Sequence, residues 1–170
     1  MGRRLVPSAA DGYSEPSDPN ASEGKLKANF SEASASVGLL VLRIGAGGLL
    51  LFGHGLPKLM HFSERAAGFA DPIGAGPAVS LALVVFAEVF CSLFVMFGLA
   101  TRLAAIPPVI FFLIAALVHH AADPWAKKEL AFVYLVAFLT LILTGAGSYS
   151  LDGLLRRRNG SGSGTSAGRG

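Results

Sequence analysis

Apolar residues along the chain are gathered into four runs, with polar residues between and outside them. The runs cover about residues 36–60, 77–100, 103–120 and 129–147. Each reaches or approaches the roughly 20 residues that a helix needs to cross a hydrocarbon core of about 30 Å. The pattern therefore predicts an all-α integral membrane protein with a four-helix bundle. For the two shorter runs, the third and the fourth, the alternative is a helix that spans only by thinning the bilayer or by snorkelling at its ends.

The two ends of the chain differ from this core. Residues 1–35 are rich in Ser, Pro, Glu, Asp and Gly, and such a segment buries too little apolar surface to offset its ordering entropy. We expect a disordered N-terminal extension, although Leu26 and Phe30 are spaced for a short helix on the membrane surface. The transmembrane domain is predicted at 36–155, and residues 156–170 read as a basic and then Gly/Ser-rich flexible tail.

Composition supports the membrane assignment. The chain is 52% hydrophobic and only 15% charged, whereas soluble domains average about 25% charged residues. No apolar signal-peptide core precedes the first run, so that run is expected to serve as its own targeting signal. Nucleotide-binding, haem-attachment and hydrolase motifs are absent from the sequence, and no nucleic-acid partner is predicted.

Basic residues near the ends of the runs predict the orientation through the positive-inside bias. The residues assigned to one side of the membrane are Lys25, Lys27, Arg102, Arg156, Arg157 and Arg158, and those assigned to the other are Lys58, Arg65, Lys127 and Lys128. The block of three arginines directly after the last run is the most one-sided piece. We therefore expect both termini in the cytoplasm.

Ionisable residues inside the apolar runs are the main candidates for function, because a charge at mid-membrane costs roughly 2.5–3.5 kcal/mol on insertion scales. Arg43, His54 and Lys58 fall on one stripe of the first helix at 100° per residue. Glu88 lies near the middle of the second run without a compensating charge on its own helix. Counting helix rise from the cytoplasmic ends predicts a buried Arg43–Glu88 ion pair. The alternative is that this pair only fixes the register of the first two helices.

The histidines form a second group near one membrane face, together with acidic and basic residues. Their spacing lacks a metal-ligand signature, so no metal site is predicted. They are interpreted either as interfacial residues that bind headgroups or water, or as a proton-exchange site for a quinol-like headgroup, in which His119 is a candidate. The single cysteine, Cys91, excludes an intramolecular disulfide and is interpreted as a packing residue.

In the order in which they occur, several short motifs resemble the DoxX-like integral membrane proteins, a family of bacterial and archaeal four-helix proteins. The resemblance extends from about Val37 to Leu154. It rests on Leu42-Arg43, "HGLPK" at 54–58, Glu88, "GLATRLAA" at 98–105, Lys128-Glu129 and "GAGSYSLD" at 145–152.

The resemblance implies a protein of the bacterial or archaeal cytoplasmic membrane, in some members a subunit of a thiosulfate:quinone oxidoreductase and in others a partner of oxidant-defence or sulfur-metabolism enzymes. It also implies that Arg43, His54, Lys58 and Glu88 are shared positions. This chain lacks a soluble thiosulfate-oxidising domain, so it is not expected to be a complete enzyme on its own.

Together these observations lead to the hypothesis of a quinone-interacting subunit of a membrane oxidoreductase system. The candidate quinone-site residues are Arg43, His54, Lys58, Glu88 and His119. No covalently bound cofactor is expected; quinone is the expected ligand. Membrane lipid, soluble or membrane-bound redox subunits and a second copy of the chain are the expected partners. The alternative function is a non-catalytic scaffold that recruits soluble redox enzymes through its basic termini.

Overall fold

The computed structural model describes the backbone of residues 19–161 and the side chains of residues 23–158. In this range every regular element is helical and no strand occurs, which confirms the all-α prediction. The chain divides into two compact units, Met1–Glu32 and Ala33–Gly170, and all packing described below lies within the second.

The first long helix runs through three consecutive segments, Pro19–Leu50, a π-helical turn at Leu51–Gly55, and Leu56–Met60. Its start corrects part of the predicted disordered extension, because residues 19–35 are helical. Proline is well suited to the first helical position, and the residues that follow include Ala, Leu, Lys and Glu, which favour helix. Residues 1–18 lie outside the described part of the chain.

The second long helix ends at Gly98, whose φ of 69° is the left-handed conformation that commonly terminates helices at glycine. Ala100 turns the chain, and the third long helix then begins at Thr101. Each of the two helices also contains a π-helical turn. Their segments are Pro77–Val85, Phe86–Cys91 and Ser92–Phe97 for the second, and Thr101–Ala104, Ile106–Ile114 and Ala115–His119 for the third.

The fourth long helix spans Trp125–Thr144, and a terminal helix follows at Leu151–Ser161. Arg156, Arg157 and Arg158 therefore belong to a helix, and this helix extends to Ser161, past the predicted start of the Gly/Ser-rich flexible segment. The remaining tail residues, 162–170, lie outside the described part of the chain. A short helix at Phe62–Arg65 occupies the connection between the first two long helices.

By length and composition, three helical stretches are able to cross a membrane: Glu23–Met60, Pro77–Phe97 and Thr101–His119. The protein is therefore an integral membrane protein by these criteria. The fourth long helix has 20 residues, but Lys127, Lys128 and Glu129 stand in its first two turns. Because the helix has only 20 residues, any 18 consecutive residues of it contain all three charges, whereas each of the other three stretches includes 18 consecutive, largely apolar residues with at most two.

Two groups of buried apolar residues hold the long helices together. One joins the third and fourth helices through aromatic stacking, with Phe112 against Tyr134 at 4.9 Å and against Phe138 at 6.4 Å between ring centroids. The other joins the first and second helices through Leu51, Leu81, Val85 and Val89.

Because neighbouring long helices run antiparallel, their ends meet at two places. The turn between the second and third helices lies beside the segment that follows the fourth, because the backbone N–H of Asp152 donates to the Gly98 carbonyl at 2.9 Å. We call this the Gly98 end. The connections at 61–76 and 120–124 stand at the opposite ends of the same helices, and we call this the His61 end.

Candidate functional site

Lys58 and Glu88 form an ion pair between the first and second long helices. The Lys58 Nζ atom donates to both carboxylate oxygens of Glu88, each at 2.7 Å. The Glu88 side chain is 2% exposed and that of Lys58 is 17% exposed. A charge-assisted contact of this length offsets much of the cost of keeping the carboxylate away from water.

Glycine at position 55 allows the two helices to approach at this pair. A Cβ atom on Gly55 would lie 2.8 Å from the Val89 side chain and 2.9 Å from the Glu88 carbonyl oxygen, so any larger residue would push the helices apart. Gly55 closes one π-helical turn, and Glu88 lies within another. Such turns insert a residue into a helix and re-aim the side chains around it.

His54 and Tyr134 extend the site from the first helix to the fourth. Their rings meet edge to face, with centroids 5.9 Å apart and planes at 88°. His54 lies close enough to Lys58, and Tyr134 to Glu88, for electrostatic interaction. We refer to Lys58, Glu88, His54 and Tyr134 as the Lys58 centre.

The predicted pairing of Arg43 with Glu88 is corrected by the structure, which gives each residue another partner. Gly55 lies beside Glu88, whereas Arg43 packs against Gly98. The ten residues from Glu88 to Gly98 correspond to about 15 Å of helix. An Arg side chain does not cover that distance, and Lys58, only three residues beyond Gly55, takes the place of Arg43.

Arg43 is instead buried at the Gly98 end with 1% of its surface exposed. Its Nη2 atom donates to the Tyr149 carbonyl at 2.5 Å. Asp152 lies near enough to interact electrostatically with the guanidinium, and its carboxylate also accepts from the backbone N–H groups of Ala100 and Thr101 at 2.8 and 3.0 Å. The arrangement ties the first helix to the start of the third and to the segment after the fourth.

His119 is exposed, and its ring contacts that of His120 with centroids 4.6 Å apart. Within the described side chains, no recorded contact joins His119 to Lys58 or Glu88. His120 donates from Nδ1 to Asp123 at 2.7 Å, and this hydrogen bond holds the pKa of Asp123 below its ordinary value. His119 and its neighbours therefore form a surface cluster at the His61 end.

No group of three His, Cys, Asp or Glu side chains suited to a metal ion occurs among the side chains that the structure describes. Cys91 is a buried free thiol in the same π-helical turn as Glu88. Its surroundings are those of a packing residue, as the sequence indicated.

Sequence reasoning missed Tyr134 as a member of the site. A tyrosine halfway along an apolar run carries a hydroxyl that needs a polar neighbour, which is a usable signal. Asp152 enters the sequence analysis only as the last residue of the "GAGSYSLD" motif, whereas its carboxylate accepts hydrogen bonds at the start of a different helix. That contact depends on tertiary structure, and the local sequence holds no sign of it.

The Lys58 centre combines a cation, a carboxylate, an imidazole and a phenol at the meeting point of three helices. Two of the three Nζ protons of Lys58 are engaged by Glu88, which leaves one donor for a ligand. His54 is able to donate or accept a proton. The site therefore offers a free hydrogen-bond donor and a side chain able to exchange protons.

Comparison with known protein families identifies one domain in the chain. No curated protein and no solved structure matches the chain. The family model described as DoxX matches residues 38–121, a range that contains Arg43, His54, Lys58, Glu88 and His119 but neither Tyr134 nor Asp152. Over this range the resemblance recognised from the sequence motifs is confirmed. The chain therefore carries a DoxX domain over these residues.

Proposed function

We propose that the protein is a quinone-interacting membrane subunit of an oxidoreductase system, and that the Lys58 centre holds the quinone headgroup. The observation that carries this proposal is the Lys58–Glu88 ion pair inside membrane-spanning segments, with His54 and Tyr134 beside it. Ionisable groups at this depth are costly and generally serve a ligand or a pathway.

The donor set fits a quinone. A quinone has two carbonyl oxygens that accept hydrogen bonds, and Lys58 and His54 are the donors that would hold one of them. The Tyr134 ring, itself stacked on Phe112, offers an aromatic surface for the headgroup. Quinone would supply two-electron chemistry, with electrons from a partner redox subunit. The DoxX resemblance suggests a sulfur-oxidising or oxidant-defence enzyme as that partner.

The proposal includes a fourth membrane crossing by Trp125–Thr144. At 20 residues this helix is about 30 Å long. One face packs into the bundle through Ala131, Tyr134, Phe138 and Leu141, while the opposite face exposes apolar side chains. These exposed apolar side chains would contact lipid chains; they are Val133, Val136, Leu139 and Leu143. Lys127, Lys128 and Glu129 would lie at the membrane surface.

We further propose that the Gly98 end faces the cytoplasm of a bacterial or archaeal cell. Arg102 follows the turn at Gly98, and the terminal helix carries Arg156, Arg157 and Arg158 directly after the last long helix. Such a concentration of arginine favours the cytoplasmic side. Labelling of intact cells with a membrane-impermeant thiol reagent tests this orientation. One variant carries a cysteine in place of Arg158 and the other a cysteine in place of Arg65. Only the cysteine at position 65 should react.

The quinone content of the purified protein tests the central proposal. The parent protein, extracted gently from its own membranes, should retain quinone, and Lys58→Ala and His54→Ala variants should retain little. His61→Ala is a matched control, because His61 is an exposed histidine that pairs only with Glu64 in the described contacts. Equal quinone in the parent and in the Lys58→Ala variant would contradict the proposal.

The second candidate function is a scaffold without a redox ligand. The helical arginine block of Arg156, Arg157 and Arg158 is the observation that favours it, because a basic helix at a membrane surface suits an acidic protein partner. This function predicts redox enzymes that co-purify with the parent and are lost when the three arginines are replaced by glutamine, with no quinone in either preparation.

A further inference from the structure

Unpartnered polar atoms in the bundle interior lie on three residues of the described chain. They are Ser92 Oγ, Thr101 Oγ1, and Arg43 Nε and Nη1. Ser92 and Thr101 are fully buried and Arg43 is 1% exposed. A buried donor or acceptor without a hydrogen bond costs about 1–3 kcal/mol, and internal water is the usual partner for such a group.

Ser92 lies on the path from Glu88 toward the Gly98 end. It follows Glu88 by four residues on the second helix, and residues at this spacing share a face. The Ser92 carbonyl oxygen lies 3.2 Å from the position that a Cβ on Gly47 would occupy. Ser92 is therefore at the contact between the first and second helices.

Arg43 and Thr101 continue this line at the Gly98 end. Arg43 precedes Gly47 by one turn of the first helix, and its guanidinium packs against Gly98. Thr101 follows Gly98 by three residues, and its backbone N–H is held by Asp152. All the unpartnered atoms thus belong to the half of the bundle between Glu88 and the Gly98 end.

We propose that Ser92, Arg43 and Thr101 hold a line of internal water molecules that links Glu88 with the Gly98 end of the bundle. The waters accept from Arg43 Nε and Nη1 and bridge the two hydroxyl groups. They give Glu88 a route for proton exchange on the side away from Lys58. The water sites follow from the unpartnered atoms and do not depend on whether quinone binds at the Lys58 centre.

Radiolytic hydroxyl labelling of the full chain in membranes tests this inference, because X-rays convert bound water into radicals that modify the side chains beside it. Met96 is the reporter, since its Cγ atom lies at the Gly47 contact and it stands one turn after Ser92. Tyr149, half exposed at the Gly98 end, reports the radical dose. The parent should be labelled at Met96, and the Ser92→Ala, Thr101→Val double variant should lose most of that label.

Thr140→Val is the matched control, because the Thr140 hydroxyl already donates to the Val136 carbonyl of its own helix at 2.8 Å. It should leave the Met96 label unchanged. An unlabelled Met96 in the parent, with Tyr149 labelled, would overturn the proposal without reference to any variant. Equal Met96 labelling in the parent and the double variant would overturn it as well. If the double variant does not fold, Ser92→Ala alone gives the same comparison.

Discussion

Lys58 Nζ lies 2.7 Å from each carboxylate oxygen of Glu88, at a point where Gly55 brings the first and second helices into backbone contact. The pair neutralises the carboxylate of the second span with a cation from the first. Removing one partner of a buried pair leaves an uncompensated charge, which costs about 3–5 kcal/mol. The pair therefore has a stability role as well as the proposed role in binding.

Replacement of Lys58 by methionine should lower the free energy of unfolding by about 3–5 kcal/mol, because Glu88 then stays buried without its partner. The Lys58→Met, Glu88→Leu double variant should be more stable than Lys58→Met alone. Denaturant unfolding of the detergent-solubilised protein measures both. A double variant no more stable than Lys58→Met alone would contradict the coupling of the two side chains.

Gly55→Ala should weaken the contact between the first and second helices, because its Cβ would come within 2.9 Å of the Glu88 backbone. We expect a loss of about 1–3 kcal/mol, as is typical of overpacking. Gly53→Ala, in the same π-helical turn, is the control, since a Cβ there meets open space. Thermal unfolding of the two variants should differ clearly, and equal melting temperatures would refute the close approach.

Gly98→Ala should destabilise the protein through two separate effects. The left-handed φ of 69° costs a non-glycine residue about 1–2 kcal/mol. The new Cβ would also collide with the Arg43 guanidinium and with Ser150. Gly74→Ala isolates the first effect, because Gly74 has a φ of 72° but open space around it. The Gly98 variant should unfold at a lower denaturant concentration than the Gly74 variant; the reverse order would contradict the packing of Arg43.

Asp152→Ala should destabilise the start of the third helix, since the carboxylate accepts from the backbone N–H groups of Ala100 and Thr101. Loss of a helix cap costs about 0.5–2 kcal/mol. Amide hydrogen exchange of the segment at 100–104 is the direct readout, and it should become faster in the variant. Unchanged protection of this segment would argue against the cap.

Protonation of Asp71 should lower the free energy of unfolding in acid. Its carboxylate accepts from Ser80 Oγ and from the backbone N–H groups of Gly76 and Ala75 at 2.7, 2.8 and 3.0 Å. The Ser80 hydrogen bond is the largest cause of a lowered pKa in the folded protein. The contribution is therefore complete at neutral pH and is lost as the pH falls below about 4, the ordinary pKa of Asp. Asp71→Asn should reduce this part of the fall in melting temperature, and an unchanged pH profile would contradict it.

The helices and their apolar faces were predictable because runs of about 20 apolar residues have few alternatives in a membrane protein. The sequence also indicated Arg43, His54, Lys58 and Glu88, because each is costly in lipid. The prediction that Arg43 is the partner of Glu88 was wrong for a specific reason. Depths counted from the ends of the runs did not include the register of the two helices, which Gly55 fixes through its contact with the Glu88 backbone and Gly98 through its contact with the Arg43 side chain. Tyr134 joins the site only through packing of the fourth helix.

The most direct test of the central claim is the position at which a photoreactive quinone attaches to the protein in membranes. Cross-links are expected in the segments that contain His54 to Lys58 and Tyr134. Unmodified quinone should compete with them, and they should be lost in Lys58→Ala. Attachment confined to the surface around Trp125, or labelling that unmodified quinone does not reduce, would contradict a headgroup site at the Lys58 centre.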